Sequence, residues 1–323
     1  MISNISVHDT ILLAGGNIVN GRNFDSIGFR IQNIPPLPKK CHNNTLILNH
    51  KNKLMSLGGT LKKCYVLQDN KWICHSKLNI KRYLGVFVEM PTGIFAFGGC
   101  SDHHIFEFLQ NGSTVWKKVS KIPMIEEEKE DGTVGETCFV PEAGHKISPN
   151  EIILISHIKL MKFNIESEEF TEFLKLGYKD IHFFESVIFN GKVIITGGEE
   201  QVNNKRYYNY DTLIVDLTTQ KCRKGGKMEV ARSRHAMEVI SIKNKMKLIA
   251  FGGEVDIGKL KSVEIFDEET ETWTLMDKEL NQKRKMFGHV RVSSTLFETI
   301  KQPRKRKLER LSTTNSKQKC LQK

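Results

Sequence analysis

A short apolar run closed by two small residues recurs along this chain. It reads TILLAGG at 10–16, KLMSLGG at 53–59, GIFAFGG at 93–99, KVIITGG at 192–198 and KLIAFGG at 247–253. A degenerate copy, EIILISH, stands at 151–157. The copies end 43, 40, 58, 41 and 55 residues apart, which makes six units of about 48 residues. A fixed period of this size marks a repeat architecture, in which each unit is one supersecondary element that buries its faces against its neighbours. Each run is rich in Ile, Leu, Val and Phe, as expected of a strand buried on both faces. The closing pairs are Gly15–Gly16, Gly58–Gly59, Gly98–Gly99, Gly197–Gly198 and Gly252–Gly253. They permit the positive φ and close backbone approach that a tight exit from a packed strand needs.

A second feature lies downstream of the glycines. An apolar or aromatic residue is followed, after six intervening residues, by another bulky one: Tyr65 and Trp72 in unit two, Phe163 and Phe170 in unit four, Val215 and Cys222 in unit five, Phe266 and Trp273 in unit six. Unit three has Phe108 and Trp116, one residue further apart. All three tryptophans thus fall at one repeat position. Further strands are expected at TLILNH, LGVFVEM, FESVIF and HAMEVISI (first in their units), at CYVL, HIFEFL, KLMKFNI, TLIVDL and SVEIFD (third), and at KWIC, WKKV, FTEFL and TWTLM (fourth). IGFRIQN supplies a third strand for unit one. No helix-length amphipathic pattern interrupts the body, so the predicted class is all-β.

A double glycine after an apolar strand, followed by Tyr or Phe and then Trp at this distance, resembles the kelch repeat. The resemblance covers roughly residues 10 to 295 and is degenerate in units one and four, the latter with Ser156 and His157 in place of the glycines. It implies a six-bladed kelch-type β-propeller of four-stranded blades, with the aromatic residues packed between neighbours. Only nine residues precede TILLAGG, while MFGHVRVSSTLF (286–297) follows the last unit with no blade of its own. The expectation is that this C-terminal strand completes blade one and closes the ring, covering an edge. The chain then divides into a propeller at 1–298 and a basic, disordered tail at 299–323.

Charge alters the picture only at the end of the chain. The net charge is +12, but nine of the 49 basic residues and one of the 37 acidic residues lie from 301 onward, which leaves the body at 40 against 36. The high pI therefore describes a tail and does not mark the fold as a nucleic-acid binder. In that tail Arg304, Lys305, Arg306 and Lys307 resemble a single-cluster nuclear localisation signal, with Ser312, Thr313 and Thr314 beside them as phosphorylation sites that would lower its charge. No apolar run approaches the ~20 residues of a membrane span, and the N-terminus lacks the basic and apolar regions of a secretory signal. Seven cysteines without a Cys-x-x-Cys pair point to reduced thiols in the cytoplasm or nucleus. His103 and His104 are neighbours that point to opposite strand faces and lack further ligands, so neither metal nor cofactor is expected.

The links between units are basic: PKKCHN, IKRYLG, ARSRHAM and QKRKMFGH. In a four-stranded meander these links share a face with the double glycines, so Lys39, Lys81, Arg82, Arg232, Arg234, Lys283, Arg284 and Lys285 are expected around one mouth. Two readings stand. A basic ring attracts an acidic or phosphorylated protein partner; alternatively, as the kelch resemblance implies, the basic residues bond carbonyls of the neighbouring blade. The turn EEQVNNKRYYNYD (199–211) brings Lys205, Arg206 and Tyr207 together with Tyr208 and Tyr210, either as a contact surface or as a cover for the blade edge. The acidic stretch EEEKED (126–131) falls in a long insert, 120–150, read as a loop.

The function expected is a non-enzymatic interaction module or scaffold. One form of it is a substrate receptor or adaptor in a cullin-type ubiquitin ligase, although the chain has no room for a BTB or F-box domain. A nuclear, nucleic-acid-associated protein acting through its tail is the first alternative. A propeller enzyme is the second, and no nucleophile–base set, phosphate-cradling loop or paired carboxylates support it.

Overall fold

The structure is a computed structural model that describes residues 9–14, 24–27, 34–39, 44–49, 51–99, 105–128, 133–177, 181–242 and 245–293. Five four-stranded antiparallel sheets follow one another along the chain as blades of a β-propeller. Unit two contributes Asn44–Leu48, Leu54–Gly58, Lys63–Gln68 and Lys71–Lys77. Unit three contributes Val86–Met90, Gly93–Phe97, Ile105–Gln110 and Lys117–Lys121. Unit four has Ala143–Lys146, Glu151–Ile155, Lys159–Asn164 and Phe170–Lys175. Unit five has Glu185–Phe189, Lys192–Thr196, Thr212–Asp216 and Lys221–Lys224, and unit six has Ala236–Ile242, Lys245–Phe251, Val263–Asp267 and Thr272–Leu275. A further sheet has three strands: Asp9–Ala14 lies between Phe24–Ile27 and Gly288–Ser293, pairing Ile11 with Ile27 on one side and Thr10 with Val292 on the other. The strand of unit one thus falls at Phe24–Ile27, N-terminal to most of IGFRIQN. No helix occurs among the described residues.

Burial follows strand position. The second strands LMSLG and GIFAF are buried at every residue, whereas the fourth strands, such as KKVSK and KCRK, are largely exposed. A middle strand has a neighbouring blade on each face, and an outer strand meets water. The apolar core is therefore split into clusters between sheets. One joins Phe95, Phe97 and Phe106 of unit three to Ile152, Leu154 and Phe163 of unit four. Others join unit two to three, four to five and five to six. Ile11 and Leu13 pack with unit six, while Leu12, Ala14 and Val292 pack with Leu46 and Leu54 of unit two.

The tryptophans stitch these seams. Trp116 Nε1 donates to Ser76 Oγ at 3.0 Å and Trp273 Nε1 to Thr212 Oγ1 at 2.9 Å, each in the preceding blade. Trp72 Nε1 donates to the Pro35 carbonyl at 2.9 Å. A buried indole needs such an acceptor for its N–H. The spacing of seven marks true cross-strand neighbours in units four to six, where Phe163 faces Phe170, Val215 faces Cys222 and Phe266 faces Trp273. In unit two it does not: Trp72 faces Leu67, and Tyr65 faces Cys74. There the strands join through Asp69 and Asn70, both at positive φ, the two-residue hairpin that matches strand twist. In unit three the partner of Phe108 is Lys117.

The four glycine pairs among the described residues adopt the backbone expected of them. Gly253 has φ +93°, and a Cβ there would stand 2.6 Å from the Ser233 carbonyl oxygen. Unit four departs from this: neither Ser156 nor His157 takes a positive φ. Its turn is closed by the side chain instead, with Lys159 N donating to Ser156 Oγ at 3.2 Å and Ser156 N to the Lys159 carbonyl at 3.0 Å. The insert at 120–150, read as a loop, holds the hairpin Met124–Glu128 and Val134–Cys138 and then the first strand of unit four. Gly15, Gly16, His103, His104 and the tail with Arg304–Lys307 lie outside the described residues. Cys64, Cys74, Cys138 and Cys222 are in no disulfide, and burial pushes the Cys64 thiol up to about 12.

Candidate functional site

The basic links do not form a ring of exposed cations. Arg82 and Arg232 are fully buried and Arg284 is 1% exposed. Arg82 Nη1 donates to the Gly98 carbonyl at 2.6 Å, Nη2 to the Ile105 carbonyl at 2.7 Å and Nε to Glu107 Oε1 at 3.1 Å. Arg232 repeats the pattern in unit six, with Nη1 to the Gly252 carbonyl at 2.9 Å and the Ser262 carbonyl at 3.3 Å, and an ion pair to Glu264. Each arginine therefore reaches the carbonyl of the first glycine of its own blade and a carboxylate on the third strand. A buried carbonyl left by a tight turn requires a donor, and the five-donor fork of arginine spans all three acceptors. The Arg284 guanidinium lies 5.7 Å from the Phe287 ring centre. As exposed partner-binding residues these three are corrected: all are buried, and Arg82 and Arg232 act as internal struts.

Arg234 is also engaged within the fold. It pairs with both Glu199 and Glu254 and stacks 3.8 Å above the Phe183 ring. Lys285 pairs with Glu254, and Arg206 lies 3.7 Å from Glu199. The mouth near units five and six is thus a mixed-charge network. Its two acids were not singled out in the sequence, yet both directly follow a double glycine, and that GGE phrase was the available signal. Lys39, Lys81, Lys205, Arg206, Tyr207 and Lys283 are exposed.

The first strands and the links before them surround a cavity of about 650 Å³, within the range of small-ligand sites. Leu84, Phe183, Arg234 and Met286 line it, and all four hold positive φ without being glycine. Such backbone costs roughly 1–3 kcal/mol per residue and persists where the surroundings overdetermine it.

Of the histidines that line this space, His145, His235 and His289 differ sharply in their electrostatics. His145 Nε2 lies 2.8 Å from Ser186 Oγ; burial, aided by the nearby His289 charge, pushes its pKa down to about 4. His235, 2.9 Å from Thr196 Oγ1, is pushed well below the usual range by burial and then by Arg232. At His289 burial acts downward but is outweighed by Glu185 and Glu238, which raise it to about 10. Glu238 Oε1 is 3.0 Å from His289 Nδ1, whereas Glu185 at 3.9 Å acts through charge, beyond hydrogen-bond reach.

A buried neutral histidine supplies stability that is present above its unfolded pKa and lost as pH falls towards its folded one. For His145 that window runs from about 6.5 down to about 4. Glu89, raised by burial to about 7 against the pull of Lys146, works in the opposite sense over part of the window, so the clean observable is a difference. The gap in thermal midpoint between the intact protein and His145→Gln is expected to shrink steadily from pH 6.5 to pH 4. A gap that stays constant across that range would rule out the neutral, buried imidazole.

At the boundary of units four and five, Glu142, His157 and His182 each offer one donor atom within 4.8 Å of the others. His182 Nδ1 is 2.6 Å and His157 Nδ1 3.9 Å from Glu142 Oε1, and the two rings are 4.3 Å apart between centres. Glu142 Oε2 accepts from Phe183 N at 2.6 Å. All three residues line the cavity. This is the metal-competent set among the described residues, and along the chain only the irregular Ser156–His157 turn hints at it.

No family model matches this chain, and no curated protein matches it in sequence.

Proposed function

We propose that this protein is a kelch-type interaction module that presents the mouth of its propeller to an acidic or phosphorylated protein segment, and that it binds without catalysing a reaction. In this reading the three-stranded sheet is the sixth blade, with Gly288–Ser293 as its innermost strand. Support comes from its packing against unit six on one side and unit two on the other. Non-local closure of this kind covers both chain-terminal edges at once.

The observation that carries the binding reading is the hairpin formed by Glu199–Val202 and Lys205–Tyr208, which leaves the double glycine of unit five, Gly197–Gly198, directly. It exposes Val202, Tyr207 and, just beyond it, Tyr210, together with Lys205 and Arg206. Aromatic and arginine side chains on a rigid hairpin combine apolar area with charge-assisted donors at low entropic cost. Arg82, Arg232, Arg234 and Lys285 are held by acids within the fold, so this hairpin is where exposed aromatic rings and exposed cations of the mouth stand together. Cullin-type ligase membership is one form this role takes, and the basic tail supplies nuclear import beside it.

The test is affinity purification from the source cells with the intact protein, an Arg206→Glu/Tyr207→Ser variant, and a Lys175→Glu control on an outer strand. A partner retained by the control and depleted about tenfold or more by the hairpin variant, the loss of one hot-spot pair, is the expected result. Equal recovery from all three proteins overturns the reading.

A further inference from the structure

We infer that Glu142, His157 and His182 form a binding site for a divalent transition-metal ion of the zinc type, with a coordination position left open towards the central cavity. The inference is independent of the protein-partner reading.

The donor set is two imidazoles and one carboxylate. Such a set holds Zn²⁺ through three protein ligands and leaves the fourth tetrahedral position for water or an incoming donor. With metal–ligand distances of about 2.0–2.2 Å, the ligand atoms of a tetrahedral site stand about 3.3 Å apart. The observed separations from Glu142 Oε1, 2.6 Å to His182 and 3.9 Å to His157, bracket that value. Small rotations of three partly exposed side chains bring them to it, since their exposures are 18%, 20% and 40% for Glu142, His157 and His182.

The backbone is built to hold them. His182 N donates to the Glu199 carbonyl at 2.9 Å and Glu199 N to the His182 carbonyl at 2.8 Å, so the link is tied to the strand after the double glycine of unit five. Glu142 N donates to the Ile155 carbonyl at 2.8 Å, and Glu142 Oε2 is fixed by Phe183 N. That second bond orients the carboxylate and leaves Oε1 directed at both Nδ1 atoms, the role an outer-shell partner plays at a metal. His157 occupies the position that is Gly59, Gly99, Gly198 and Gly253 in other units, at φ +75°, +95°, +97° and +93°. The Ser156 turn removes the need for that backbone in unit four, and an imidazole takes the space. The repeat is broken at the one place where its replacement meets two further ligands. Hard cations prefer all-oxygen sites, so calcium and magnesium are poor candidates. A carboxylate or imidazole from a ligand entering the cavity would complete the tetrahedron.

The experiment is titration of the tag-free full chain with Co²⁺ and Zn²⁺, followed by Co²⁺ absorption and by calorimetry. The variants are His157→Gly, which restores the residue of the other units, His182→Gln and Glu142→Gln, with His145→Gln as a cavity histidine outside the set. One ion per chain is expected, with the visible spectrum of four-coordinate Co²⁺. Affinity is expected to fall about 100-fold or more in each folded ligand variant, beyond the loss from an outer partner, and to be unchanged in His145→Gln. Should Glu142→Gln fail to fold through loss of the Phe183 bond, the two histidine variants decide. Absence of stoichiometric binding, or binding that survives His157→Gly and His182→Gln within tenfold, overturns the site.

Discussion

Glu264→Leu is expected to destabilise the protein by about 3–5 kcal/mol, the cost of leaving a buried charge without its partner. Its carboxylate accepts from Glu229 N at 2.7 Å and Val230 N at 3.2 Å as well as from Arg232. Glu107 does the same in unit three, accepting from Asn79 N at 2.8 Å, Ile80 N at 3.2 Å and Arg82. The offset is identical: the amides lie three and two residues before the arginine. Each Glu therefore pins the incoming link while its arginine satisfies the glycine turn. Burial pulls the Arg232 guanidinium below its usual range and Glu264 opposes that pull. Removing the carboxylate strands a cation and two amides together. Thermal unfolding should show a drop on the order of 10 °C. The Arg232→Met/Glu264→Leu double variant should recover part of it, because apolar replacement of a whole pair costs less than breaking one. A single variant within about 1 kcal/mol of the parent would mean that water reaches the pair and that the strut is not a buried one.

Phe163→Ala should cost a similar amount, about 3–5 kcal/mol, by a different mechanism. The Phe163 side chain is fully buried between units three and four. Its ring centre stands 5.0 Å from Phe106 and 5.4 Å from Phe97 in edge-to-face contact, and 4.7 Å from Phe170 across the strands. Edge-to-face geometry adds to the apolar burial because the ring quadrupoles align favourably. Truncation empties a space bounded by two rigid sheets, which cannot close over it. Phe163→Leu fills most of that volume and is expected to lose under about 1.5 kcal/mol. Urea unfolding of the three proteins measures both, and equal losses from Ala and Leu would show that packing volume at this seam is not what is being read.

The glycine-closed runs, the tryptophan position and the all-β class were legible in the residues because each rests on a local rule. A strand packed on both faces is largely apolar, and its tight exit favours the positive φ that glycine supplies. Those constraints act within seven residues and repeat with each unit. The direction of the link arginines was not legible. Arg82 and Arg232 look like solvated loop charges until the third strands of their own blades supply Glu107 and Glu264, 25 and 32 residues away, at buried positions. The turn of unit two shows the same limit on a smaller scale, since a two-residue hairpin shifts Trp72 from Tyr65 to Leu67 without changing the composition of either strand. Ser156–His157 stood out as a broken repeat, but its partners Glu142 and His182 come from 15 residues before and 25 after His157. A pattern along the chain sets which face of a strand is apolar. Which charged side chains meet across a seam is set by blades closing on one another, and only the folded arrangement brings those donors and acceptors within reach.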